Sequence, residues 1–576
     1  MRKTPKKRGQ KLVKDLSDLS KKAGDSSREH IQENVIERFS HIKSVRLLIL
    51  EWALLVTAII MLAVTQAFWY SESYAVDSWG EGGTYTEATL GKINSLNPLF
   101  ASTSSEKVLS RLMFSTLSSP DYSGHNGPDL ASSIRTDDSG LNWTVELRKG
   151  LKWSDGEPIA NEDVLYTVSV LQDANVNTNY SDSLTNVKVS ESDGNLIFTL
   201  PTAYADFSSA LDFPILPAHI LKNVKPTLLL EDQFSVSPVT SGAFSYNATQ
   251  TINSNGEKIV YLNPNKSYYK GAPLLDSFAV HAYMTTDDII NAVNAGSVTA
   301  TADLLPTDSD KITSNLVHEK QTAISSGVYA FMNVTGNIFS NLKLRKAVQE
   351  GIDMRSLRAP LGEETALDYP LLKNQLDQED LFPKLPDYNP DSARETIASA
   401  SLENPVRLAT VNTGYLPAIA ENLKYQLELL GFKVELNTYD PGQDFLLTVI
   451  RPRDYDMLIY EVELGSDSDL FAYYHSSQAT PTGLNLSNYN NALASDLLLA
   501  ARSTMDNEIR DAKYHSFLEL WVNEVPAIGI YQANMSYYVN KNVRSFSDDI
   551  RLVTPVDRFV DISFWATEKV VKNRTP

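Results

Sequence analysis

The sequence predicts a mixed α/β protein carried behind one membrane-crossing helix. Three observations lead there. Apolar residues alternate at period two in some segments and recur at helical spacing in others, and a long, almost wholly apolar run lies near the start. The chain has 576 residues, too many for one ordinary core, and 42% are hydrophobic, with 27 Tyr, 20 Phe and 7 Trp, a balance suited to packed globular structure.

The apolar run is Leu47–Trp69, LLILEWALLVTAIIMLAVTQAFW, broken only by Glu51, Thr57, Thr65 and Gln66. About 20 such residues span a bilayer core. Trp52, Phe68, Trp69 and Tyr70 sit near its ends, where aromatic rings favour the interface, and Lys43 and Arg46 precede it. Glu51 lies within a turn of the end and is expected to lean toward the interface. The long leader and the lack of a small-x-small site argue against a cleaved signal peptide, so a retained anchor over 47–70 is expected.

Charge divides the chain at this helix. Met1–Arg46 holds 13 Lys and Arg against 6 Asp and Glu, so a total of −20 leaves −27 for the remainder. The bias toward basic residues on the inner side places 1–46 in the cytoplasm and the acidic body outside. So acidic a body repels polyphosphate, which excludes nucleic acid as its partner. In the tail, Leu12, Leu16 and Leu19 have helical spacing, and Ser26–Glu29 resembles a capping box ahead of Ile31, Val35, Phe39 and Ile42. These segments suit anionic lipid, a protein partner or plain solvation equally.

Residues 71–83, with the glycine-rich DSWGEGG, read as a linker. Beyond it, Trp143, Val145 and Leu147 alternate with polar residues as a half-buried strand, and Leu196, Phe198 and Leu200 repeat this after the Asp193-Gly194 turn. Asn161 is expected to cap a helix through Leu171, with Glu162 and Asp163 in its first turn. Ile419, Leu423, Leu427 and Leu430 make one apolar helix face that Gly431 ends, and Phe432, Val434 and Leu436 then alternate.

Zero cysteine removes disulfides, thiolate metal sites and thiol nucleophiles. The sequence has no GxSxG elbow, HExxH helix, P-loop or GxGxxG fingerprint, and its eight histidines are scattered. No metal site or cofactor is expected. Glu463, Asp467 and Asp469 in ELGSDSD lack the glycine and terminal glutamate of a calcium loop. They read either as solvated or as lining a ligand cleft, and a distant carboxylate pair of glycosidase type stays open.

The segment Trp143–Val164, WTVELRKGLKWSDGEPIANEDV, resembles the hallmark of the family 5 extracellular solute-binding proteins, the oligopeptide-binding group of ABC importers. Leu96-Asn97-Pro98, Asp129-Leu130-Ala131, Phe213–Ile220, Ser241–Phe244, Asn263-Pro264-Asn265 and Tyr268-Tyr269 are similar to further family segments. Leu344–Val348, Gly351-Ile352-Asp353, Tyr388–Ala393, Asn485–Tyr489, Val525–Ile528 and Trp565 continue the likeness in order, over about Thr84–Trp565.

The resemblance implies a two-lobed, type II periplasmic-binding-protein fold with an extra subdomain. It implies a first lobe from 84–111, 216–323 and 529–566, an inserted subdomain over 112–215, a second lobe over 324–528 and a tail over 567–576. A peptide or similar solute would close the lobes, an ABC permease would accept it, and the chain itself would catalyse nothing. Glu463 is implied as the grip on a ligand's amino group, although the tryptophan and aspartate common there in relatives are missing, and Asp467 or Glu461 would be substitutes. Ser102 and Ser104 are implied as a main-chain contact stretch, and Tyr329, Phe331, Asn412 and Thr413 as cleft borders. Trp153, Asp155 and Gly156 are read as serving the fold. The alternatives are a sensor reporting through the cytoplasmic tail and a surface hydrolase.

Overall fold

The computed structural model describes residues 46–178, 180, 184–252, 256–359, 361, 366–376 and 381–573. The features read in the 1–45 tail lie outside these.

The N-terminal unit holds a helix α1, Arg46–Tyr74. Within it, Leu47–Gln66 is 20 residues long and apolar enough to cross a membrane. Thr57 and Thr65 donate their hydroxyls to the carbonyls of Ala53 and Met61, each at 2.7 Å, so neither presents an open polar group to an apolar surround. The helix continues beyond Tyr70, and Ala75–Trp79 pairs as a strand with Lys569–Asn573, segments that read as spacer and tail in the sequence. The β-branched Val76, Val570 and Val571 favour that extended state.

The second unit is two-lobed. Its strands are β1 Thr84–Leu90, β2 Ala131–Thr136, β3 Asn142–Leu147, β4 Lys188–Ser192, β5 Asn195–Thr199, β6 Phe244–Thr251 and β7 Lys258–Pro264. They continue with β8 Ser277–Tyr283, β9 Ala300–Thr301, β10 Val317–Met332, β11 Val406–Val411, β12 Val434–Tyr439, β13 Met457–Glu463 and β14 Ala527–Asn540. The helices used below are α2 Ser104–Met113, α3 Asn161–Leu171, α4 Thr286–Ala295, α5 Leu342–Gly351, α6 Leu416–Leu430, α7 Ala492–Ser503 and α8 Asn507–Glu524.

One sheet runs β12-β11-β13-β10-β14-β9-β1-β8-β7-β6, and a separate four-stranded sheet, β2-β3-β5-β4, belongs to the inserted region. The long antiparallel pair β10 and β14 serves both lobes. Val317–Ala323 pairs with Asn534–Asn540 in the first, Gly327–Phe331 with Ala527–Gln532 in the second, and the register shifts between Ala323 and Gly327. The cores change at the same place. Ile324 and Ala533 pack with the first hydrophobic cluster, Val328 and Tyr531 with the second. Among the described residues only these two strands and their bulge connect the sheet halves, an arrangement suited to bending.

Trp565 anchors the first core, its ring 5.1 Å from Tyr85 and 5.3 Å from Phe559. α4 covers the other face of that half-sheet through Ile289, Ile290 and Val293. In the inserted region the expected cap differs in detail. Ala160, not Asn161, precedes α3, and Asp163 reaches back to accept the Ala160 amide at 2.9 Å. Asp163 also accepts the Trp153 indole at 3.2 Å and the Ala218 amide at 2.7 Å, so the hallmark tryptophan is buried and bonded inside the fold. Burial pushes the Asp163 carboxyl up despite these donors.

Candidate functional site

Between the two cores lies a cavity of about 580 Å³, walled on the first-lobe side by Ser104, Lys107 and Arg111 of α2 and on the second by Glu461 and Glu463 of β13. A second cavity, about 430 Å³, meets the crossing strands at Ala323 and Ser325.

Helical spacing explains the first wall. Ser104, Lys107 and Arg111 fall at i, i+3 and i+7, so one face of α2 presents all three. The helix is oriented by its start. Thr103 caps it, accepting the Glu106 amide at 3.2 Å, and Glu106 returns the contact to the Thr103 amide at 3.2 Å. Glu106 also accepts the amides of Asn94 at 2.7 Å and Ser102 at 2.9 Å, and the Ser102 hydroxyl at 3.0 Å. Burial raises the carboxyl, but these donors outweigh it and hold Glu106 below the ordinary carboxylate range.

Arg111 is fixed between Asp212 at 3.1 Å and Asp557 at 2.7 Å. Asp557 in turn accepts the Thr554 amide at 2.7 Å and hydroxyl at 2.8 Å. Ser104 donates to Asp303 at 2.7 Å, and the other oxygen of Asp303 accepts the Leu90 amide at 2.6 Å. Burial raises the Asp303 carboxyl. Arg558, whose neighbour Asp557 holds Arg111, is itself paired with Glu87 beneath the wall.

On the opposite wall, Glu461 and Glu463 are two positions apart on one strand and therefore share a face. Glu463 lies opposite Ser326 of β10 in the register. Burial raises the Glu461 carboxyl, the Ser326 hydroxyl opposes this, and the charge of Glu463 adds to it. Among the described residues neither glutamate is in an ion pair, and neither is Lys107. The cavity thus offers two unneutralised carboxylates facing an unneutralised ammonium.

The structure brings Ser104 and Glu463 together on opposite walls of this cavity. Ser102 sits just before α2 with its amide and hydroxyl committed to Glu106 rather than open to a ligand's main chain. Tyr329 and Phe331 do not border the cleft. Each is 1% exposed inside the second core, and Tyr329 donates its hydroxyl to the Tyr369 carbonyl at 3.1 Å. Both faces of this stretch are packed, since Val328, Ala330 and Met332 on one and Tyr329 and Phe331 on the other all belong to the second core. Asn412 and Thr413 occupy the exposed turn between β11 and α6, outside the residues lining the cavity. Asn412 donates its amide to Tyr439 at 2.7 Å, closing the turn. Lys107 and Arg111 carry the i+3 and i+7 signal that would have pointed to them. Asp303, Asp212 and Asp557 come from distant segments and have no local signal.

The family profile described as bacterial extracellular solute-binding proteins, family 5, middle region, matches residues 127–483. The chain belongs to this family. Its members are solute-binding proteins of ABC importers rather than enzymes. Oligopeptide-binding protein AppA of Bacillus subtilis is 24% identical over 496 residues, 81% of this chain and 89% of AppA. The solved structure of that AppA in complex with a nonapeptide covers 85% of this chain and 99% of its own, with a TM-score of 0.68 and 23% identity. The substrate-binding protein CtaP of Listeria monocytogenes gives a TM-score of 0.73 at 22% identity, over 85% of this chain and all of CtaP. The two-lobed fold expected from the family 5 resemblance is the fold observed.

Proposed function

We propose that this family 5 protein captures peptides between its lobes while tethered to the outer membrane face by α1, and hands them to an ABC permease. The observation that carries the reading is the bipolar cavity between the cores, with Glu461 and Glu463 on one wall and Lys107 on the other. A short peptide is a zwitterion of matching polarity. Its ammonium would meet the glutamates, Glu463 foremost, and its carboxylate Lys107. The peptide-bound state of AppA supports this choice of ligand class.

In this reading the lobe crossings fall a few residues from the 323/324 and 528/529 bounds that the resemblance implies. The first lobe is 84–325 with 533–566, its inserted subdomain being 112–215, and the second is 326–532, a division supported by Ile324 and Ala533 packing with the first core and Val328, Ile530 and Tyr531 with the second. The hinge is the bulge of β10 between Ala323 and Gly327 with the facing part of β14. A ligand touching both lobes favours the closed form by its differential affinity, and the permease reads the closed shape. Residues 1–46 lie in the cytoplasm by their basic bias, and α1 crosses the bilayer over 47–70.

Mass spectrometry of compounds released from the denatured full chain tests the ligand class, with peptides of mixed sequence as the expected result. Calorimetry with the tetrapeptide Ser-Thr-Ser-Ala and its N-acetyl form tests the polarity. Acetylation is expected to weaken binding about tenfold, the scale of one charge-assisted hydrogen bond. Release of a non-peptide solute, with no heat from either peptide, would replace the ligand class. Protease digestion of sealed inside-out vesicles tests topology, the tail being cut and the body protected.

A further inference from the structure

Away from the cavity, the inserted region and the second lobe meet at a second polar contact. Tyr204, Asp206 and Ser209 come from the first core's side, and Asp467 and Asp469 from the loop after β13. Asp467 accepts the Ser209 hydroxyl at 2.9 Å and the Tyr204 hydroxyl at 3.3 Å. The Ala205 amide donates to the Arg502 carbonyl at 2.8 Å, and the Arg502 guanidinium lies 4.3 Å from the centre of the Tyr204 ring. Each of these contacts joins residues of different lobes.

The charges here do not balance. Arg502 of α7 pairs with Asp469 at 3.3 Å, and Arg510 of α8 lies 3.9 Å from Asp206. Among the described residues Asp467 is in no ion pair of its own and feels only the charge of Arg502, which pairs with Asp469. It accepts hydroxyls and the Asp469 amide at 3.0 Å, contacts a protonated carboxyl can also sustain. The other groups facing the site are Asp511 and Tyr514 on α8, with Tyr473 and His475 near its edge. None adds a positive charge at neutral pH: Asp511 is a further carboxylate, and burial and Arg502 both lower the His475 imidazole.

We propose that this contact is a proton-operated clasp, so that the lobes close with uptake of a proton by the Asp206, Asp467 and Asp469 group. The inference rests on the two-lobe closure set out above. Closing brings Asp206 against Asp467 and Asp469, where Arg502 and Arg510 supply two positive charges for these three carboxylates, and one proton cancels that difference, Asp511 remaining as a further carboxylate.

The direction of the titrations agrees. Burial first, then the neighbouring carboxylates, pushes Asp206 up to about 6. Burial, against Arg502, pushes Asp469 up to about 6, and burial raises Asp467 as well. Free aspartate titrates at about 3.9, so the closed form holds more protons between about pH 4 and 6. Closure therefore strengthens as pH falls through about 6 and weakens above it. The proton belongs to the trio rather than to one residue.

The chain contains no cysteine, so Asp138→Cys and Glu508→Cys, both at exposed positions, accept spin labels without background. Interlobe distances are measured by electron paramagnetic resonance on the full chain in nanodiscs, without peptide and with Ser-Thr-Ser-Ala, from pH 7.5 to 5.0. The ratio of closed to open form is expected to rise about tenfold on acidification in the parent, as one proton bound with a shift of about two units allows. In Asp467→Asn the closed form is expected to dominate already at pH 7.5, with little further response. Peptide-driven closure with no pH response in the parent would overturn the clasp alone. An unchanged response in Asp467→Asn would also overturn it. One fixed distance under all conditions would overturn both the clasp and the closure beneath it.

Discussion

Arg558 and Glu87, 471 positions apart in the chain, form an ion pair whose side chains are 1% and 0% exposed. The Arg558 Nε donates to Glu87 at 3.1 Å, and the Tyr537 hydroxyl, itself 2.7 Å from that of Tyr85, lies 3.4 Å from the other Glu87 oxygen. The pair joins the start of the first lobe to its C-terminal return, and it sits under Asp557, which holds Arg111 on the cavity wall.

Replacing Glu87 by Gln leaves Arg558 charged and enclosed without its ion-pair partner, the charge of Asp303 acting on it only from farther off. Removing one partner of a buried pair costs about 3–5 kcal/mol. Denaturant unfolding of Glu87→Gln should show a loss of that size with an unchanged slope. A loss under about 1 kcal/mol would mean that water reaches the guanidinium.

Phe331→Ala separates core from cleft. Phe331 packs beside Tyr329, ring centres 5.5 Å apart, within the second core. Truncating a buried phenylalanine costs about 3–5 kcal/mol. The unfolding midpoint should fall accordingly, while the peptide affinity of the folded fraction stays within about twofold. A selective loss of affinity would return this residue to the ligand.

Glu106→Gln carries a pH signature. Because the folded carboxyl titrates below its unfolded value, its stabilisation is present above the unfolded value and is lost as pH falls through the folded one. The variant should lose about 1–2 kcal/mol at pH 7, the scale of a helix cap, and the gap from the parent should narrow as pH falls below the unfolded carboxylate value of about 4.3. Thermal melts at pH 7 and at pH 3.5 read this, and an equal gap at both values would assign the loss to shape rather than charge.

How much of this was legible follows from the range of each interaction. Local signals read true. Gly431 ends α6 at φ 109°, and Asp193 and Gly194 turn at φ 52° and 79°. Asn97, Asp353 and Asn389, each within a family-like motif, cap the helical turns that follow them. Alternation located the strands β3 and β5. It cannot say that Val328–Met332 of β10 is covered on both faces, which only tertiary contact decides, so Tyr329 and Phe331, cleft borders by the family resemblance, prove to be core. The cavity's floor, Asp212, Asp303 and Asp557, is assembled from positions 91 to 345 residues apart. Nothing local marks such residues. Asp467, weighed in the sequence as a ligand contact, instead faces Ser209 and Tyr204 of the other lobe.

Glu463→Ala and Glu461→Ala divide the negative wall. Both glutamates face the cavity, but Glu463 is exposed to solvent and Glu461 is half-buried against Ser326. An exposed carboxylate can turn to meet an ammonium with little loss of packing. Its removal should weaken Ser-Thr-Ser-Ala binding about tenfold, as for one charge-assisted hydrogen bond, with folding intact. Glu461→Ala should weaken it less and also shift the unfolding midpoint. Calorimetry beside thermal melts resolves the two, and unchanged affinity in Glu463→Ala would remove that residue from the site.

Gly242→Ala tests a motif whose reason is steric. A Cβ on Gly242 would lie 2.6 Å from the Leu112 carbonyl oxygen and 2.7 Å from the Phe114 nitrogen, contacts no side chain makes without moving backbone. The Gly242 amide donates to the Met113 carbonyl at 2.7 Å, so the two chains are held at this separation. Met113 ends α2, the helix that presents Ser104, Lys107 and Arg111 to the cavity. The substitution should therefore act twice. Overpacking costs about 1–3 kcal/mol of stability. Displacing the end of α2 should also weaken peptide binding, although position 242 lies outside the residues lining the cavity. Denaturant unfolding and calorimetry on the same preparation check both. Stability lost with affinity retained would show that α2 keeps its aim when its C-terminal end is pushed.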